Sequence, residues 1–434
     1  MEAGTARIGA GGFGPSWLRA LKGNERRAFN ASFMGFGLDA FDLIILTLSL
    51  SAIGATFGVG TGATGTLVTV TLGVSAIGGI AAGVLADRIG RVKTLMITVG
   101  WFSVFTALSG FAQSYEQLLF LKAMQGLGFG GEWATGAALV AEAARPENRG
   151  KLLGLVQASW AVGWALAAIA WTIVFSLAPE EQAWRYLFFL GILPALLILY
   201  LRRNVKDADV WLETHRAEEE RREEAVAAGA TKSPLAQIFS GDLLKITIPA
   251  TLLATGIQGG YYAMFTWVPT YLKTERGLTI IGTGSYLAVL IVSAFVGYVF
   301  SGYVHDWLGR RKAFALFAAA SAVSLFLYVS VPPGGNTVLL FVAIPLGFFS
   351  AGAFSGFGSY LAELFPTRAR GAGQGFAYNA GRALGALFPL AIGFLAAFFG
   401  LGGAIIFGCA AYGLALVSLL FLPETKGKSF EVVN

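Results

Sequence analysis

The chain has 434 residues, of which 56% are hydrophobic and only 13% are charged. A soluble domain carries about 25% charged residues, so this composition excludes an ordinary soluble protein. The formal net charge of +6 is modest, and the basic residues lie in short segments between apolar blocks, a pattern that indicates membrane topology and not nucleic-acid binding.

Apolar blocks of about 20 residues, the length that crosses a bilayer as a helix, follow one another along the chain. They predict twelve spans, at residues 28–52, 63–86, 94–112, 116–142, 152–178, 184–201, 245–270, 281–304, 313–331, 337–362, 372–399 and 401–422. The charged segment 202–244 separates the spans into two groups of six. We therefore predict an all-α membrane protein with twelve transmembrane helices in two pseudo-symmetric six-helix bundles.

The domain boundaries follow from the same pattern. The predicted parts are an N-terminal tail (1–27), a first bundle (28–201), a linker with a surface helix (202–244), a second bundle (245–422) and a C-terminal tail (423–434).

Two short signatures occur once in each half of the chain. Residues 83–93 read GVLADRIGRVK and residues 302–312 read GYVHDWLGRRK, while residues 142–150 (EAARPENRG) match residues 363–371 (ELFPTRARG). Each copy lies at a connection next to an apolar block. The chain is therefore predicted to be an internally duplicated membrane unit, and duplicated bundles around a central cavity are typical of transporters.

Lysine and arginine are concentrated on alternate connections. The first tail, the linker, the last tail and both signature copies are basic, whereas the other connections carry only Arg185, Lys273 and Arg276. By the positive-inside rule, both termini and the linker face the cytoplasm of a cell (inner) membrane protein.

Five ionisable residues lie inside predicted spans: Asp39, Asp42, Lys122, Glu132 and Arg382. Such a residue costs about 2.5–3.5 kcal/mol at the bilayer centre, so it usually has a function. Asp39 and Asp42 are three positions apart and share a helix face. Two neighbouring carboxylates in a low-dielectric interior do not both ionise easily, which predicts a proton-coupling site. The alternative is an internal salt-bridge network, for example with Lys122.

The sequence allows two interpretations of the role of Glu132 and two of the role of Arg382. Glu132 takes part in proton coupling or is hydrogen-bonded locally at a kink of the GGEWATG segment. Arg382 is permanently charged and matches a carboxylate bidentately, so an anionic substrate would supply its missing partner. Alternatively, Arg382 pairs with Asp39 or Asp42 until substrate replaces the acid.

Further polar and aromatic residues are predicted to line the cavity. Most aromatic side chains in a membrane bundle pack against helices or lipid, but a buried hydroxyl or indole needs a hydrogen-bond partner. The predicted substrate-binding set, beside Arg382, is Lys122, Tyr261, Tyr262, Trp133, Trp164, Gln258, Tyr378 and Asn379.

The signature GVLADRIGRVK resembles the loop 2–3 motif of the major facilitator superfamily, and its second copy is similar to the loop 8–9 motif. Within that superfamily, the strings GFGLDAFD, QGLGFGGEW and ELFPTRARGAGQG resemble the metabolite:proton symporter group, which includes aromatic-acid and sialic-acid transporters. The resemblance covers nearly all of residues 28–423, and it implies the major facilitator fold.

The resemblance also implies roles for residues. It makes Asp39 and Asp42 the acidic pair of proton-driven uptake, and it gives Asp87, Arg88 and Arg91 a gating role. Beyond the resemblance, the predicted proton-coupling set also includes Glu132, and the predicted gating set also includes Gly83, Gly90, Asp306 and Arg310. One departure concerns Lys122, where the group usually has arginine, so bidentate carboxylate binding there is in question. Span 5 lacks the proline of drug:proton antiporters, which favours symport.

The sequence thus predicts a proton-coupled symporter that imports a small organic anion, of the aromatic-acid or sugar-acid type, by alternating access. Its expected partners are that anion, protons and the lipid bilayer, and we expect a monomer. Two histidines and one cysteine are too few for a metal site or an internal disulfide, and no nucleophile–base arrangement is apparent, so neither an enzyme nor a cofactor is expected. The alternatives are an organic-anion or drug efflux antiporter and a non-transporting sensor on the same fold.

Overall fold

The computed structural model describes residue 21 and residues 23–205, 234–366 and 369–426, and these residues are almost wholly helical. Nine helices in the described part are long and apolar enough to cross a membrane by length and composition. The predicted surface helix of the linker and most of both tails lie outside the described residues.

The first half contains six spans. Spans 1 to 5 are the helices Gly23–Phe57, Thr61–Ile89, Arg91–Ser109, Tyr115–Ala143 and Pro146–Leu177. Span 6 comprises Glu180–Phe189, a 3₁₀ segment at Leu190–Ala195 and the helix Leu196–Asn204. The 3₁₀ segment contains Pro194, which has no backbone N–H to continue the α-helical bonding.

The second half repeats this arrangement after a short helix, Pro234–Gln237. Spans 7 to 9 are Gly241–Thr274, Ile280–Leu308 and Arg310–Ser330, and span 10 comprises Asn336–Gly352, a 3₁₀ segment at Ala353–Gly356 and Phe357–Leu364. Spans 11 and 12 follow in the helices Arg370–Gly385, Leu387–Ile405 and Gly408–Ser418.

The boundary between spans 11 and 12 is Gly400, which lies inside the Leu387–Ile405 helix with φ of 69°. That value is in the region that glycine adopts without steric cost, so the chain can turn there. The predicted fold class, twelve helices in two similar bundles, is confirmed by these twelve spans.

Equivalent spans pack in the same way in both halves. Span 2 packs on span 4 as span 8 packs on span 10, span 1 on span 5 as span 7 on span 11, and span 3 on span 6 as span 9 on span 12. Glycines permit the closest approaches. A methyl group at Gly126 would overlap the carbonyl oxygen of Thr71, and one at Gly130 would overlap that of Ser75. Small residues at such positions are how membrane helices pack without a hydrophobic driving force.

The two halves meet through spans 2 and 11, 5 and 8, and 1 and 7. We call the end of the molecule that carries Gly90 and Gly309 the motif face, and the other end the opposite face. Near the opposite face, Thr61 donates a hydrogen bond of 2.6 Å to the carbonyl of Gly393, and Lys273 of span 7 pairs with Glu180 of span 6 at 2.6 Å.

The halves separate toward the motif face. Span 2 still touches span 11 at Gly79, which lies against the side-chain amide of Asn379. Gly83 lies one turn further on, and none of the described residues places an atom within 4 Å of the position of a Cβ there. Spans 4 and 10, as far as they are described, pack within their own halves and not extensively on each other. The structure is therefore a conformation that is closed at the opposite face and separated at the motif face.

Candidate functional site

Asp42 lies in a hydrogen-bonded network inside the first half. Thr106 of span 3 donates a 2.7 Å hydrogen bond to Asp42 Oδ2, and the side-chain amide of Gln125 in span 4 donates to the same oxygen. The ammonium of Lys122 donates a 2.7 Å bond to Gln125 Oε1. Lys122 is thus connected to Asp42 through the Gln125 amide, whose nitrogen donates to the Asp42 carboxylate and whose oxygen accepts from the Lys122 ammonium.

This network is enclosed by neighbouring helices. Asp42, Lys122 and Gln125 are fully buried, and the ammonium of Lys122 lies 3.9 Å from the centre of the Phe188 ring in span 6. A methyl group added to Gly191, also in span 6, would lie 3.1 Å from Asp42 Oδ1. Lys122 therefore belongs to an internal network, which was the alternative to a proton-coupling site in the sequence analysis. The carboxylate of that network is Asp42 and not Asp39.

A second cluster joins Asp39, Glu132 and Arg382. Their exposed fractions are 1%, 0% and 5%, and Asp39 interacts electrostatically with both Glu132 and Arg382. Among the described residues, Asp39 Oδ1, both carboxyl oxygens of Glu132 and the Nε and Nη1 atoms of Arg382 have no hydrogen-bond partner. A buried charge without hydrogen bonds is unfavourable by several kcal/mol in principle, so these atoms mark a place for protons or an anionic ligand.

The guanidinium of Arg382 extends from span 11 toward the first half. Its Cζ lies 5.8 Å from the ring centre of Phe129 in span 4 and 5.3 Å from that of Tyr378. Tyr262 of span 7 also interacts with it electrostatically. Aromatic faces attract a cation without neutralising it, so Arg382 keeps a net positive charge between the halves.

Gln258 holds the second-half side of this cluster. Its side-chain nitrogen donates to the carbonyl of Tyr378 at 3.0 Å, and its side-chain oxygen accepts a 2.9 Å bond from the Tyr262 hydroxyl. Gln258 thereby connects span 7 with span 11 next to Arg382. Asn379 donates to the carbonyl of Gly375 at 2.9 Å and faces span 2 at Gly79.

Aromatic residues continue the contact between the halves. The indole nitrogen of Trp160 in span 5 donates a 2.9 Å hydrogen bond to the Tyr261 hydroxyl in span 7. Trp160 also packs on Phe36 and Phe129, with ring centres 5.1 Å and 6.3 Å away, and Tyr261 packs on Phe354 at 4.9 Å.

The two remaining predicted aromatic residues are less informative. Trp164 is buried, and its indole nitrogen has no hydrogen-bond partner in the described part of the chain. The side chain of Trp133 lies outside the described residues.

The sequence did not lead us to predict three side chains of the site: Thr106, Gln125 and Phe129. Gln125 carried a usable signal, because an amide three positions after Lys122 on an apolar helix shares its face. Thr106 carried none, since a threonine in a span most often bonds to its own helix.

The predicted gating residues lie at the two signature copies. Gly90 and Gly309 end spans 2 and 8 with φ values of 97° and 91°, so both are in the left-handed region that favours glycine. Arg88 is exposed, and the side chain of Asp87 lies outside the described residues. Arg91 begins span 3 at the turn that Gly90 makes.

In the second copy, charged side chains connect spans 8, 9 and 10 with the segment that follows span 12. Arg310 pairs with Asp306 of span 8 at 2.5 Å and with Glu363 of span 10 at 3.1 Å. The carboxylate of Glu424, which follows span 12, accepts the backbone N–H groups of Arg310 at 2.8 Å and Arg311 at 3.1 Å. Glu424 therefore caps the N-terminus of span 9.

The geometry supports two kinds of chemistry. The Asp42 network and the Asp39–Glu132 pair can each take up or release a proton, since each of the three carboxyl groups has at least one oxygen without a hydrogen-bond partner among the described residues. Arg382 supplies a permanent positive charge between the halves, at the place where alternating access would expose a substrate.

The chain is similar to known membrane transporters over most of its length. The sequence profile of the Major Facilitator Superfamily matches residues 32–389 and 297–432. The chain is 36% identical over 423 residues to a probable 4-methylmuconolactone transporter of Cupriavidus pinatubonensis, covering 96% of this chain and 95% of that one. It is 32% identical to a cis,cis-muconate transport protein of Acinetobacter baylyi, covering 92% and 94%.

Among solved structures, the fold is similar to that of a D-xylose-proton symporter, with a TM-score of 0.75 at 20% identity over 94% of this chain and all of that one. By sequence, the chain is also 26% identical to a sialic acid transporter of Escherichia coli, and the match covers 96% of this chain and 98% of that one. The protein is a membrane-spanning transporter and not an enzyme, and the chain belongs to the major facilitator superfamily.

Proposed function

We propose that this protein is a proton-coupled symporter that imports a small organic anion, of the aromatic-acid or sugar-acid type, across the inner membrane. The observation that carries the proposal is the guanidinium of Arg382. It is buried between the halves, two of its nitrogens lack hydrogen-bond partners among the described residues, and aromatic rings surround it. A ring-bearing carboxylate matches both features, with its charge on Arg382 and its ring against Phe129 or Tyr378.

The relatives support this substrate class. Three of them are a probable 4-methylmuconolactone transporter, a cis,cis-muconate transport protein and a sialic acid transporter, and these substrates are organic acids or their close derivatives. They share between 26% and 36% of their residues with this chain.

Proton coupling is assigned to the two acidic sites of span 1. Asp42 would carry the coupled proton, because its network with Lys122 lies apart from the place where the anion binds. Asp39 would hold Arg382 until the anion arrives, with Glu132 beside it. Protons would be the coupling ion, and the proposal requires neither a metal nor an organic cofactor.

The proposed cycle is a rocking of the two halves. The conformation described here would correspond to the state open toward the cytoplasm, if the motif face is the cytoplasmic face as the basic residues predict. Both bundles that enclose the site come from one chain, so a monomer would suffice.

The anion site is tested by Arg382→Gln and Arg382→Lys. We expect the Gln variant to lose carboxylate binding, measured by calorimetry or by thermal shift with a panel of aromatic acids, sugar acids and neutral sugars. The Lys variant should bind about tenfold or more weakly, because it keeps the charge and loses the bidentate fork. Arg27→Gln, at an exposed arginine of span 1, is the matched control. Unchanged affinity in Arg382→Gln would refute the site.

The proton site is tested by Asp42→Asn in liposomes. We expect uptake driven by a pH gradient to be lost, while counterflow exchange of labelled anion continues. Uptake that still responds fully to an uncoupler would count against Asp42. The direction of flux under an imposed gradient distinguishes import from efflux, and ligand binding without flux would indicate a sensor.

A further inference from the structure

The outer surface of spans 9 and 12 carries a groove of about 640 Å³ at the motif face. Its floor is apolar, formed by Ala315, Leu416, Val417 and Leu420, and its end is charged, formed by Arg311 and Lys312 with Glu424 beside them. The groove is separate from the site between the halves.

The apolar part of the groove faces lipid. Span 12 packs on span 9, and Val417 and Leu420 point away from that contact, with exposed fractions of 54% and 68%. Apolar side chains on the outside of a membrane bundle are surrounded by acyl chains. The charged end lies at the first turn of span 9, where the span begins at the membrane surface.

The carboxylates near this end of the groove are bound to other partners. Asp306 and Glu363 both pair with Arg310. The Glu424 carboxylate accepts hydrogen bonds from backbone N–H groups at the start of span 9 and from those of the two residues after Glu424. The side chains of Arg311 and Lys312 have no ion pair with any described residue.

Span 9 begins with three consecutive cations, Arg310, Arg311 and Lys312. The N-terminus of a helix itself carries about half a positive charge, so it cannot compensate them. Span 3, the pseudo-symmetric helix, begins with two cations, Arg91 and Lys93, because the equivalent of Arg311 there is Val92, which is buried. The extra cation is therefore a property of the second copy alone.

We propose that this groove is a binding site for an anionic phospholipid, whose phosphate contacts Arg311 and Lys312 and whose acyl chain lies along Leu416, Val417 and Leu420. A basic pocket at the end of transmembrane helices is the kind of site that holds an anionic headgroup. A free phosphate would satisfy the two cations but leave the apolar floor unoccupied. An uncharged lipid would cover the floor but leave the cations unpaired.

The test measures thermal unfolding of the full-length protein in detergent. Phosphatidylglycerol, phosphatidylethanolamine and inorganic phosphate are added separately, and bound phosphatidylglycerol is counted by native mass spectrometry. We expect phosphatidylglycerol to raise the unfolding temperature of the wild type more than the other two additives do. The double variant Arg311→Gln/Lys312→Gln should lose about half of that shift or more, together with at least one bound lipid.

Two further variants control the interpretation. Arg26→Gln/Arg27→Gln removes the same number of charges from exposed positions at the start of span 1 and should keep the full shift. Val417→Trp fills the groove while both cations remain, and it should lower phosphatidylglycerol binding even if the charge variant does not fold.

Four results would overturn the proposal. The first is a full lipid shift in the charge variant, and the second is an equal loss in Arg26→Gln/Arg27→Gln. The third is equal stabilisation by phosphate or by phosphatidylethanolamine, which would indicate a free-anion site or a non-specific lipid shell. The fourth is unchanged lipid binding in Val417→Trp.

Discussion

The indole of Trp160 donates a hydrogen bond of 2.9 Å to the hydroxyl of Tyr261. Trp160 belongs to span 5 and Tyr261 to span 7, so this bond joins the two halves of the chain at a point where both residues are buried. A buried indole N–H without a partner costs about 1–3 kcal/mol, so a conformation that separates the two residues must offer each another partner.

Trp160→Phe and Tyr261→Phe should each weaken this conformation. Each variant keeps an aromatic ring for packing and removes one member of the bond, worth about 0.5–1.5 kcal/mol, so exchange rates or KM should change by about two- to tenfold. The double variant should be no worse than the more impaired single variant, as a double-mutant cycle of counterflow measurements would show. Additive losses would mean that the bond is not a shared interaction.

Gln125→Leu should strongly destabilise the first half. The substitution removes the amide that connects Lys122 with Asp42, so the buried ammonium loses its hydrogen bond and Asp42 keeps only the one from Thr106. Leaving a buried polar group without its hydrogen bond costs about 1–3 kcal/mol, and more for a charged group. Thermal unfolding of the purified protein measures the effect.

The control for this prediction is Gln117→Leu, at an exposed position near the start of the same helix, where the side-chain oxygen accepts one hydrogen bond from the backbone N–H of Gln113. Losing that exposed bond should cost no more than about 0.5–1.5 kcal/mol. If Gln125→Leu unfolds at the wild-type temperature, the Asp42–Lys122 network contributes little to the structure.

Gly35 determines where the carboxyl group of Glu132 can lie. A methyl group at Gly35 in span 1 would overlap Oε1 of Glu132 in span 4. Gly35→Ala should therefore displace the carboxyl group and reduce stability by about 1–3 kcal/mol. Glu132→Ala should relieve that overlap, so the double variant should be more stable than Gly35→Ala alone.

Gly154→Ala serves as the comparison, because no atom of the described residues lies within 4 Å of the methyl group it would add in span 5. It should leave stability unchanged or raise it by about 0.5–1 kcal/mol, the usual gain of alanine over glycine in a helix. An equal loss in Gly35→Ala and Gly154→Ala would exclude a specific clash with Glu132.

Lys273 and Glu180 should favour closure of the opposite face. They pair at 2.6 Å across the halves but remain partly exposed, so the pair is worth about 0.2–1 kcal/mol. Lys273→Glu should shift the population toward an open opposite face by about two- to fivefold, and adding Glu180→Lys should restore it. Distances between spin labels on spans 1 and 7 report the shift.

The effect of Lys273→Glu should decrease at high salt, because the pair is near the surface. A shift that is unchanged at high salt, or that Glu180→Lys fails to reverse, would mean that Lys273 acts through another contact.

Glu424 should make stability depend on pH in the acidic range. Partial burial opposes ionisation, but hydrogen bonds from the backbone N–H groups of Lys426, Arg310, Thr425 and Arg311 outweigh it and lower the pKa of Glu424 below its ordinary value of 4.5. A carboxyl group with a lowered folded-state pKa stabilises the protein above its unfolded value and loses that contribution as the pH falls through the folded value.

Glu424→Gln should therefore unfold at a lower temperature than the wild type at pH 7. The difference should shrink as the pH falls below about 4.5, because the wild-type carboxyl group then protonates. Unfolding temperatures of both proteins between pH 7 and pH 3.5 provide the measurement. A difference that is constant over this range would contradict the cap.

The spans and the turns between them could be predicted because they depend on short stretches of sequence. A span needs about 20 consecutive apolar residues, and this requirement is visible in any stretch of the chain without knowledge of its neighbours. The predicted break between residues 399 and 401 coincides with Gly400, where φ is 69°. The repeated signatures likewise contain the glycines, Gly90 and Gly309, that the two turns require.

The partners of the site residues were beyond such reasoning. Asp39 and Asp42 are three positions apart, which the sequence analysis took as one shared face. In a helix with 3.6 residues per turn, that spacing still turns the two side chains about 60° apart. This angle is enough for Asp42 to meet Thr106 and Gln125 while Asp39 approaches Glu132 and Arg382.

The sequence by itself determined that the chain is a duplicated twelve-span membrane protein with unpaired charges inside its spans, because hydrophobic length and charge placement are properties of single segments. Only the tertiary structure decided which charges meet. The Asp42 network and the Arg382 cluster are assembled from spans far apart in the chain, and their contacts depend on the rotation and depth of each helix. Packing between helices, at glycines such as Gly35 and Gly130, sets this rotation and depth, and the sequence of a single helix does not.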